Sequence, residues 1–401
     1  MEAEAPDGTR AAPPADRPAA PGFDDISLDA LLARRTLKWG RHGGEVLGAW
    51  VAEMDFPVAP AVREAVHEAV ERGETGYPLR DIRTGLPSAC ADWLARTCGW
   101  TVPAERIFLI PDVLTGVGLG IGAYSRPGSA VVVPTPPIRP SWRSWRRRAG
   151  VPSRCPSSRT AHGGPWTSTP SAPRWPRSGD RAAVQPAQPL GRVFTRAELR
   201  ALGRCVAAYG ARVVADEIHA PLTYPGHPHI PYASVSPETA DHTLTLVSAA
   251  KGWNIAGLKC AQAVLSSDRD VRRWRALPFH SRHGASTLGI AANIAAYRAG
   301  DPWRHEALRY LDGNRRFLAR VLGDRLPRAR YAMPEATYLA WLDCSFTGLD
   351  DPAGFLREAR VCLSDGAFFG AAGRGFVRLN FATSRHILER ITTALVEALA
   401  P

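Results

Sequence analysis

The sequence feature that most constrains the fold is a lysine-bearing turn that joins two apolar runs. Residues 248–259 read Ser-Ala-Ala-Lys-Gly-Trp-Asn-Ile-Ala-Gly-Leu-Lys and lie between the β-favouring runs 243–247 and 260–265. Short apolar runs on both sides of a polar stretch are typical of two buried strands joined by a turn. The sequence therefore predicts that Lys251 is displayed on a turn at the edge of a sheet.

Lysine is rare in this chain, which makes Lys251 a candidate for a reactive amine. Of the 50 basic residues only three are lysines, at positions 38, 251 and 259. Arginine stays protonated, whereas a desolvated lysine can become the neutral amine that forms a Schiff base. The alternative is a surface lysine at a strand end.

Composition predicts a soluble globular protein of 401 residues with 45% hydrophobic and 22% charged residues. No apolar run approaches the ~20 residues that span a bilayer. We expect residues 1–24 to be a disordered tail without a secretory signal, and the protein to be cytoplasmic. We also expect an N-terminal segment (25–60), a large domain (61–300) and a small C-terminal domain (301–401).

Cysteine spacing and charge argue against a metal site and a nucleic-acid partner. The seven cysteines form no CxxC pair and no metal-binding spacing, so we expect reduced thiols and no metal. The net charge of +12 is concentrated in residues 137–180, where nine arginines and one acid give +8. The rest of the chain carries only +4, which is unremarkable for its size.

Strands alternate with helices in the middle of the chain, and a mixed unit follows. This pattern predicts an α/β fold with a parallel-type sheet and a small α+β terminal domain. Asp216 follows the buried run 211–215, and Arg378 lies on the late strand 376–381. A long helix is expected from about 302 to 322, with Gly323 as its end.

Asp216, Lys251 and Arg378 in this chain order resemble the fold-type I pyridoxal phosphate enzymes, specifically the aminotransferase-like cystathionine β-lyases (cysteine-S-conjugate β-lyases). The resemblance covers about residues 25–136 and 190–400. The segments that carry it are 50–57 (WVAEMDFP), 216–220 (DEIHA) with 229–231 (HIP), 248–259, and 378–383 (RLNFAT). The rival interpretation is an α/β domain with unrelated polar loops.

The resemblance implies the fold, the cofactor and the assembly. The fold would be the type I pyridoxal phosphate-dependent transferase fold, with a mixed, mostly parallel seven-stranded sheet in the large, cofactor-binding domain. The cofactor would be pyridoxal 5'-phosphate and the substrate a small amino acid. The protein would be a homodimer with shared active sites and no nucleic-acid or membrane partner.

The resemblance assigns three residues to the reactive end of the cofactor. Lys251 would hold the cofactor as a Schiff base and then act as the base that takes the substrate Cα proton. Asp216 would keep the pyridine nitrogen protonated; alone it would be read as a strand-end cap. His219 would donate to the phenolic oxygen, or would be a packed loop histidine.

The resemblance assigns further residues to the cofactor phosphate. The backbone amides of Val113 and Leu114 open a helix, where they would bind an anion. Ser248 and Lys259 would flank the same pocket. Tyr77 would reach the phosphate from the other subunit; its alternative reading is a surface tyrosine on a turn.

The resemblance also predicts the substrate side of the site. Arg378 would bind the substrate carboxylate with a bidentate fork. Trp50 and Asp55 would line the substrate side, and Asn380 is a further candidate there.

Two predicted functions differ in reaction class. The first is a carbon–sulfur β-lyase that converts cystathionine or related cysteine S-conjugates to thiol, pyruvate and ammonia. The second is an aminotransferase on the same fold. A third interpretation is a pyridoxal phosphate-binding protein whose activity is impaired.

The chain departs from the family between residues 137 and 189. Relatives carry a ring-stacking aromatic in a Thr-Pro-Ala-Tyr-Pro-Pro-like stretch and an asparagine in Asn-Pro-His-Asn-Pro, where this chain reads TPPIRP (135–140) and QPAQP (185–189). Shifting the reading frame of a GC-rich gene by one base converts each family stretch into the one observed. We hypothesise that 137–189 is translated out of frame, which resequencing or peptides from this segment would test. If the segment is real, we expect a core strand, the aromatic and the asparagine to be lost, with Gln188 as an uncertain substitute.

Overall fold

The structure is a computed structural model that describes residues 22–43, 46–126, 129, 131–134, 153–155, 182–185 and 190–400. Within these ranges no helix has the length and apolar character needed to cross a membrane.

The strands form two sheets and one short parallel pair. In chain order they are β1 (Leu47–Gly48), β2 (Ile107–Ile110), β3 (Val131–Pro134), β4 (Ser153–Cys155), β5 (Ala182–Gln185), β6 (Arg212–Asp216), β7 (Thr243–Val247), β8 (Ala261–Leu265), β9 (Arg330–Tyr331), β10 (Leu339–Asp343), β11 (Val361–Cys362), β12 (Ser364–Asp365) and β13 (Phe376–Asn380).

The large sheet has seven strands in the order β2-β8-β7-β6-β5-β3-β4. Strand β8 runs antiparallel to both of its neighbours, and the other pairs are parallel. Residues of β2, β7 and β8 are buried throughout, as expected for a sheet covered on both faces. Because β6 and β7 are parallel neighbours, the residues after Asp216 and Val247 leave the sheet at the same edge.

Helices surround this sheet and build the C-terminal part. In chain order they are α1 (Leu28–Leu32), α2 (Leu37–Gly40), α3 (Pro60–Glu71), α4 (Leu86–Cys98), α5 (Val113–Tyr124), α6 (Arg196–Ala208), α7 (Pro237–Asp241), α8 (Asp268–Arg275), α9 (Phe279–Arg282), α10 (Thr287–Ala299), α11 (Asp301–Arg325), α12 (Pro352–Glu358) and α13 (Arg385–Leu399). The prediction that Gly323 ends the long helix is wrong. Gly323 lies inside α11 without a positive φ, and the helix continues to Arg325.

Helix α5 lies unusually close to the sheet because glycines face the strands. A Cβ atom on Gly116 would lie 2.7 Å from Leu246 Cδ2, and one on Gly120 would lie 2.7 Å from Leu244 Cδ2. Only glycine allows this approach without displacing core side chains. The first turn of α5 is thereby fixed near the edge where β7 ends.

A second unit is built around the sheet β12-β13-β10-β9, whose described pairs are antiparallel. Strand β1 pairs with β11 in parallel, which ties the N-terminal segment to this unit. One apolar core joins Phe23, Trp39 and Phe56 to α11, α13 and the small sheet. The expectation of disorder up to residue 24 is therefore wrong at Phe23, which is buried. The domain boundaries given above remain a prediction.

The expectation that the segment 137–189, if real, lacks a core strand is wrong. Strand β4 pairs with β3, and β5 lies between β3 and β6, so the strand that we expected to be lost is present. Ile138 and Gln188, from the two altered stretches, lie outside the described residues.

Candidate active site

Three parts of the fold meet at the edge of the large sheet where β6 and β7 end. They are the strand ends themselves, the extended segment 50–56 and strand β13 of the small sheet. Together they place Asp216 and Arg378 near Lys251, because the charges of both residues act on the Lys251 amine.

The turn that carries Lys251 is held by side chains from within and outside it. The Ser248 hydroxyl donates to the Cys260 carbonyl (2.7 Å) and accepts from the Ala250 amide (3.0 Å). Asn254, at φ +57°, accepts from the Met54 amide (2.9 Å) and donates to the carbonyls of Met54 (2.9 Å) and Phe56 (3.1 Å). The turn is therefore fixed to segment 50–56.

The Lys251 amine donates a hydrogen bond to the Ala52 carbonyl oxygen at 2.6 Å. Burial lowers the pKa of Lys251 to about 8, with a further lowering by Arg378 that Glu53 and Asp216 partly oppose. A lysine with this pKa has an appreciable neutral fraction near physiological pH, which Schiff-base formation and proton abstraction both require.

Asp216 forms no ion pair within 4 Å among the described residues, although the charge of Lys251 acts on it. Its carboxylate accepts a hydrogen bond from the Ile218 amide at 3.2 Å. Burial is the main cause that raises the pKa of Asp216 to about 6. A buried anion without a partner is costly, so the site fits a ligand that brings a positive group such as a protonated ring nitrogen.

The loop after Asp216 is fixed by Glu217. This carboxylate accepts from the Tyr232 amide (2.8 Å) and contacts His229 Nε2 (2.8 Å), which explains why residues 229–231 accompany the Asp216 motif. His219 is buried, and burial followed by the charges of Lys251 and Arg378 lowers its pKa well below the usual value. A neutral imidazole is therefore available here, as the resemblance requires.

The N-terminus of α5 lies beside the end of the lysine turn. Asp112 caps the helix by accepting from the Thr115 amide (2.8 Å), and its other oxygen pairs with Lys259 Nζ (3.0 Å). The amides of Val113 and Leu114 belong to the first turn of a 12-residue helix and have no acceptor within it. These amides and the Lys259 ammonium group together form a site suited to binding a phosphate group.

Arg378 has donors that are still available. Its Nη2 donates to the Trp50 carbonyl (2.9 Å) and to Ser364 Oγ (3.3 Å), and its guanidinium lies 4.9 Å from the Phe369 ring. Its Nε is buried without a hydrogen-bond partner among the described residues. Burial lowers the pKa of Arg378 to about 10, so it stays protonated at neutral pH. A substrate carboxylate would satisfy this arginine.

The other substrate-side candidates have different environments. The structure places Asp55 in a buried ion pair with Lys38 (2.9 Å), and Trp39 Nε1 donates to the same carboxylate (2.7 Å). Asn380 donates to the carbonyls of Val51 and Glu53, both at 2.6 Å. Both side chains are thus engaged in holding segment 50–56.

Trp50 adjoins Arg378 through its carbonyl, whereas Tyr77 lies on an exposed loop. Trp50 Nε1 donates to the Lys38 carbonyl (3.1 Å), and Arg41 lies over its ring at 5.0 Å. Tyr77 is 94% exposed, and its ring lies 6.1 Å from that of His283. No described contact joins Tyr77 to Lys251 of the same chain.

The sequence analysis did not identify the Ala52 carbonyl as the hydrogen-bond acceptor of Lys251. Ala52 offers only its carbonyl, which carries no residue-type signal, and Tyr338 donates to the same oxygen at 2.9 Å. Ser364 and Asn254 were also missed as side chains that hold segment 50–56. Among the described residues no group of three or more His, Cys, Asp or Glu side chains could hold a metal.

Comparisons with known proteins agree with this geometry. The family model for aminotransferase class I and II matches residues 182–395. The chain is 40% identical to a cystathionine β-lyase of Corynebacterium glutamicum, covering 90% of this chain and 96% of that protein. It is 32% identical to the cystathionine β-lyase PatB of Bacillus subtilis (91% and 97%). It also superimposes, with a TM-score of 0.83, on a structure from Corynebacterium diphtheriae provisionally assigned as a PLP-dependent β-cystathionase, at 36% identity and covering 93% and 98% of the two chains.

Proposed function

The chain belongs to the class I and II aminotransferase family, which uses pyridoxal phosphate, and from this premise we propose that it is a carbon–sulfur β-lyase of cysteine S-conjugates. The relatives named cystathionine β-lyase support the lyase class. The observation that carries the proposed cofactor site is that Asp216 and Arg378 both lie near the desolvated Lys251 amine.

When bound, pyridoxal phosphate supplies an electron sink for the negative charge that develops at the substrate Cα. Lys251 would hold the cofactor aldehyde, and Asp216 would keep the ring nitrogen protonated. Val113, Leu114, Ser248 and Lys259 would hold the phosphate, and His219 would donate to the phenolic oxygen.

The chain's own residues then orient the substrate and move its proton. The free donors of Arg378 would bind the substrate carboxylate and so fix the direction of the Cα–H bond. The neutral Lys251 amine would take that proton, and the thiolate would leave from Cβ. The remaining three-carbon product would hydrolyse to pyruvate and ammonia.

We also propose that the protein acts as a homodimer. The exposed Tyr77 side chain, without a described contact to Lys251 of its own chain, supports a role in the phosphate site of the second subunit. A cytoplasmic location stays a prediction.

The lyase and the aminotransferase differ in their need for a second substrate. We expect the purified holoenzyme to release pyruvate from cystathionine without any keto acid, and the Lys251→Ala variant to release none. Amino transfer that requires a keto-acid acceptor, without acceptor-free pyruvate, would favour the aminotransferase. A bound cofactor with neither activity would favour the impaired protein.

A further inference from the structure

The Ala52 carbonyl oxygen accepts two hydrogen bonds in the middle of the candidate site. Lys251 Nζ donates at 2.6 Å and the Tyr338 hydroxyl at 2.9 Å. Tyr338 is 1% exposed and immediately precedes β10, and its own carbonyl accepts from the Phe381 amide at 3.0 Å. The tyrosine is thus part of the rigid small sheet.

The carbonyl itself is also held in place. Asn380 binds the carbonyls on either side of it, those of Val51 and Glu53. The oxygen therefore has little freedom to turn towards another donor when one of its two donors leaves.

Lys251 must leave this carbonyl to react with a cofactor or a substrate. The Ala52 carbonyl is partly buried, so leaving it without a donor has an energetic cost. Burial raises the pKa of Tyr338 above its usual range, so its hydroxyl remains a donor at all relevant pH values. The tyrosine can therefore keep the oxygen paired after the lysine has moved away.

We propose that Tyr338 is a positioning residue for Lys251, which shares the Ala52 carbonyl with the lysine and keeps it paired when the amine departs. This inference rests on the proposed role of Lys251 as the reactive amine. The inference assigns a function to the Tyr338 side chain, which is linked to Lys251 by the Ala52 carbonyl oxygen that both residues bind.

Sharing the acceptor also affects the charge of the lysine. The positive end of the Tyr338 O–H dipole points at the same oxygen as the ammonium and weakens that hydrogen bond. The other groups that face Lys251 are Arg378 from β13, Glu53 from segment 50–56, and Asp216 and the neutral His219 after β6. Removing the tyrosine hydroxyl alone leaves all of these groups present around Lys251.

The test is to measure the pKa of Lys251 in the apoprotein of wild type and of Tyr338→Phe. Trace acetylation with acetic anhydride from about pH 6 to about pH 10 would be quantified at each lysine by peptide mass spectrometry. Only three lysines are present, and the 60% exposed side chain of Lys259 is an internal reference. Tyr331→Phe is the matched control, because Tyr331 is also a tyrosine of the small sheet and its buried hydroxyl has no hydrogen-bond partner among the described residues.

We expect Tyr338→Phe to raise the pKa of Lys251 by roughly half a unit to one unit and to slow uptake of pyridoxal phosphate at neutral pH. Tyr331→Phe should leave both unchanged. An unchanged or lowered pKa of Lys251 in Tyr338→Phe would overturn the proposal. Because the titration uses the apoprotein, it is independent of the acceptor-free pyruvate assay that tests the lyase function.

Discussion

We expect Asp216, the proposed partner of the ring nitrogen, to lower the stability of the apoprotein. Burial raises its pKa from 3.8 to about 6. The folded apoprotein therefore binds more protons than the unfolded chain between about pH 4 and pH 6, and the contribution of Asp216 to the free energy of unfolding falls as the pH rises through that window.

We accordingly expect Asp216→Asn to stabilise the apoprotein at pH 7 by roughly 1–3 kcal/mol, with the advantage shrinking towards pH 4. Urea denaturation of the two apoproteins at several pH values measures this difference. The same variant should lose at least about 100-fold in lyase activity, because the ring nitrogen would have no anionic partner. Equal stability at pH 7 would mean that the Asp216 carboxylate is not desolvated.

Arg378 gives a second prediction for a single residue. Arg378→Lys keeps the charge but loses the planar fork, so we expect KM for the amino-acid substrate to rise about 10- to 100-fold, with a smaller change in kcat. Arg374→Lys, at an exposed arginine just before the same strand, is the control and should leave KM unchanged. Steady-state kinetics distinguish the two. An unchanged KM in Arg378→Lys would refute carboxylate binding by this residue.

Among the helices, α10 fixes the backbone of the lysine turn. A Cβ atom on Gly289 would lie 2.2 Å from the Leu258 carbonyl oxygen and 3.0 Å from Cys260 Cβ. We expect Gly289→Ala to destabilise the protein by roughly 1–3 kcal/mol, because backbone atoms of the turn would have to move. Gly118→Ala on α5, where nothing lies within 4 Å, should instead be neutral or stabilise by up to about 1 kcal/mol. Denaturation of both variants provides the measurement, and equal effects would argue against close packing of α10 on the turn.

The elements that sequence predicted best are those in which local pattern and tertiary contacts agree. Helix α4 spans Leu86–Cys98, where the apolar spacing and the following Gly99 both indicate a helix that packs on the sheet. The strands on both sides of Lys251 were likewise evident from their apolar runs. Gly323 misled because the apolar face of α11 outweighs the low helix propensity of one glycine.

Sequence alone predicted only those site residues whose side-chain type and position in the chain indicate a function. Asp216 at a strand end, Lys251 on a turn and Arg378 on a late strand stood out as charged residues. The family that they suggested is confirmed by the family model and by relatives over most of the chain. The ion pair between Asp55 and Lys38 was not predictable, because it joins residues 17 positions apart through tertiary folding. It also shows that a rare lysine can serve packing as well as chemistry.

At the scale of the whole molecule, the proposed dimer makes Tyr77 part of the neighbouring active site. Lys251→Ala and Tyr77→Ala chains should each be impaired alone. After the subunits are mixed in equal amounts and exchanged, half of the dimers would be hybrids. Each hybrid would have one intact site of two, formed by Lys251 of the Tyr77→Ala chain and Tyr77 of the Lys251→Ala chain. We therefore expect up to about a quarter of wild-type activity. Activity no higher than the average of the two separate variants would contradict a shared site.

The most direct test of the central claim is where pyridoxal phosphate attaches to the whole protein. Wild type, Lys251→Arg and the control Lys259→Arg would be mixed with the cofactor, reduced with borohydride and mapped by peptide mass spectrometry. We expect wild type and Lys259→Arg to become coloured and to carry the cofactor on Lys251, and Lys251→Arg to stay colourless because arginine cannot condense with the aldehyde. A wild-type protein that takes up no cofactor, or carries it on another residue, would contradict the account.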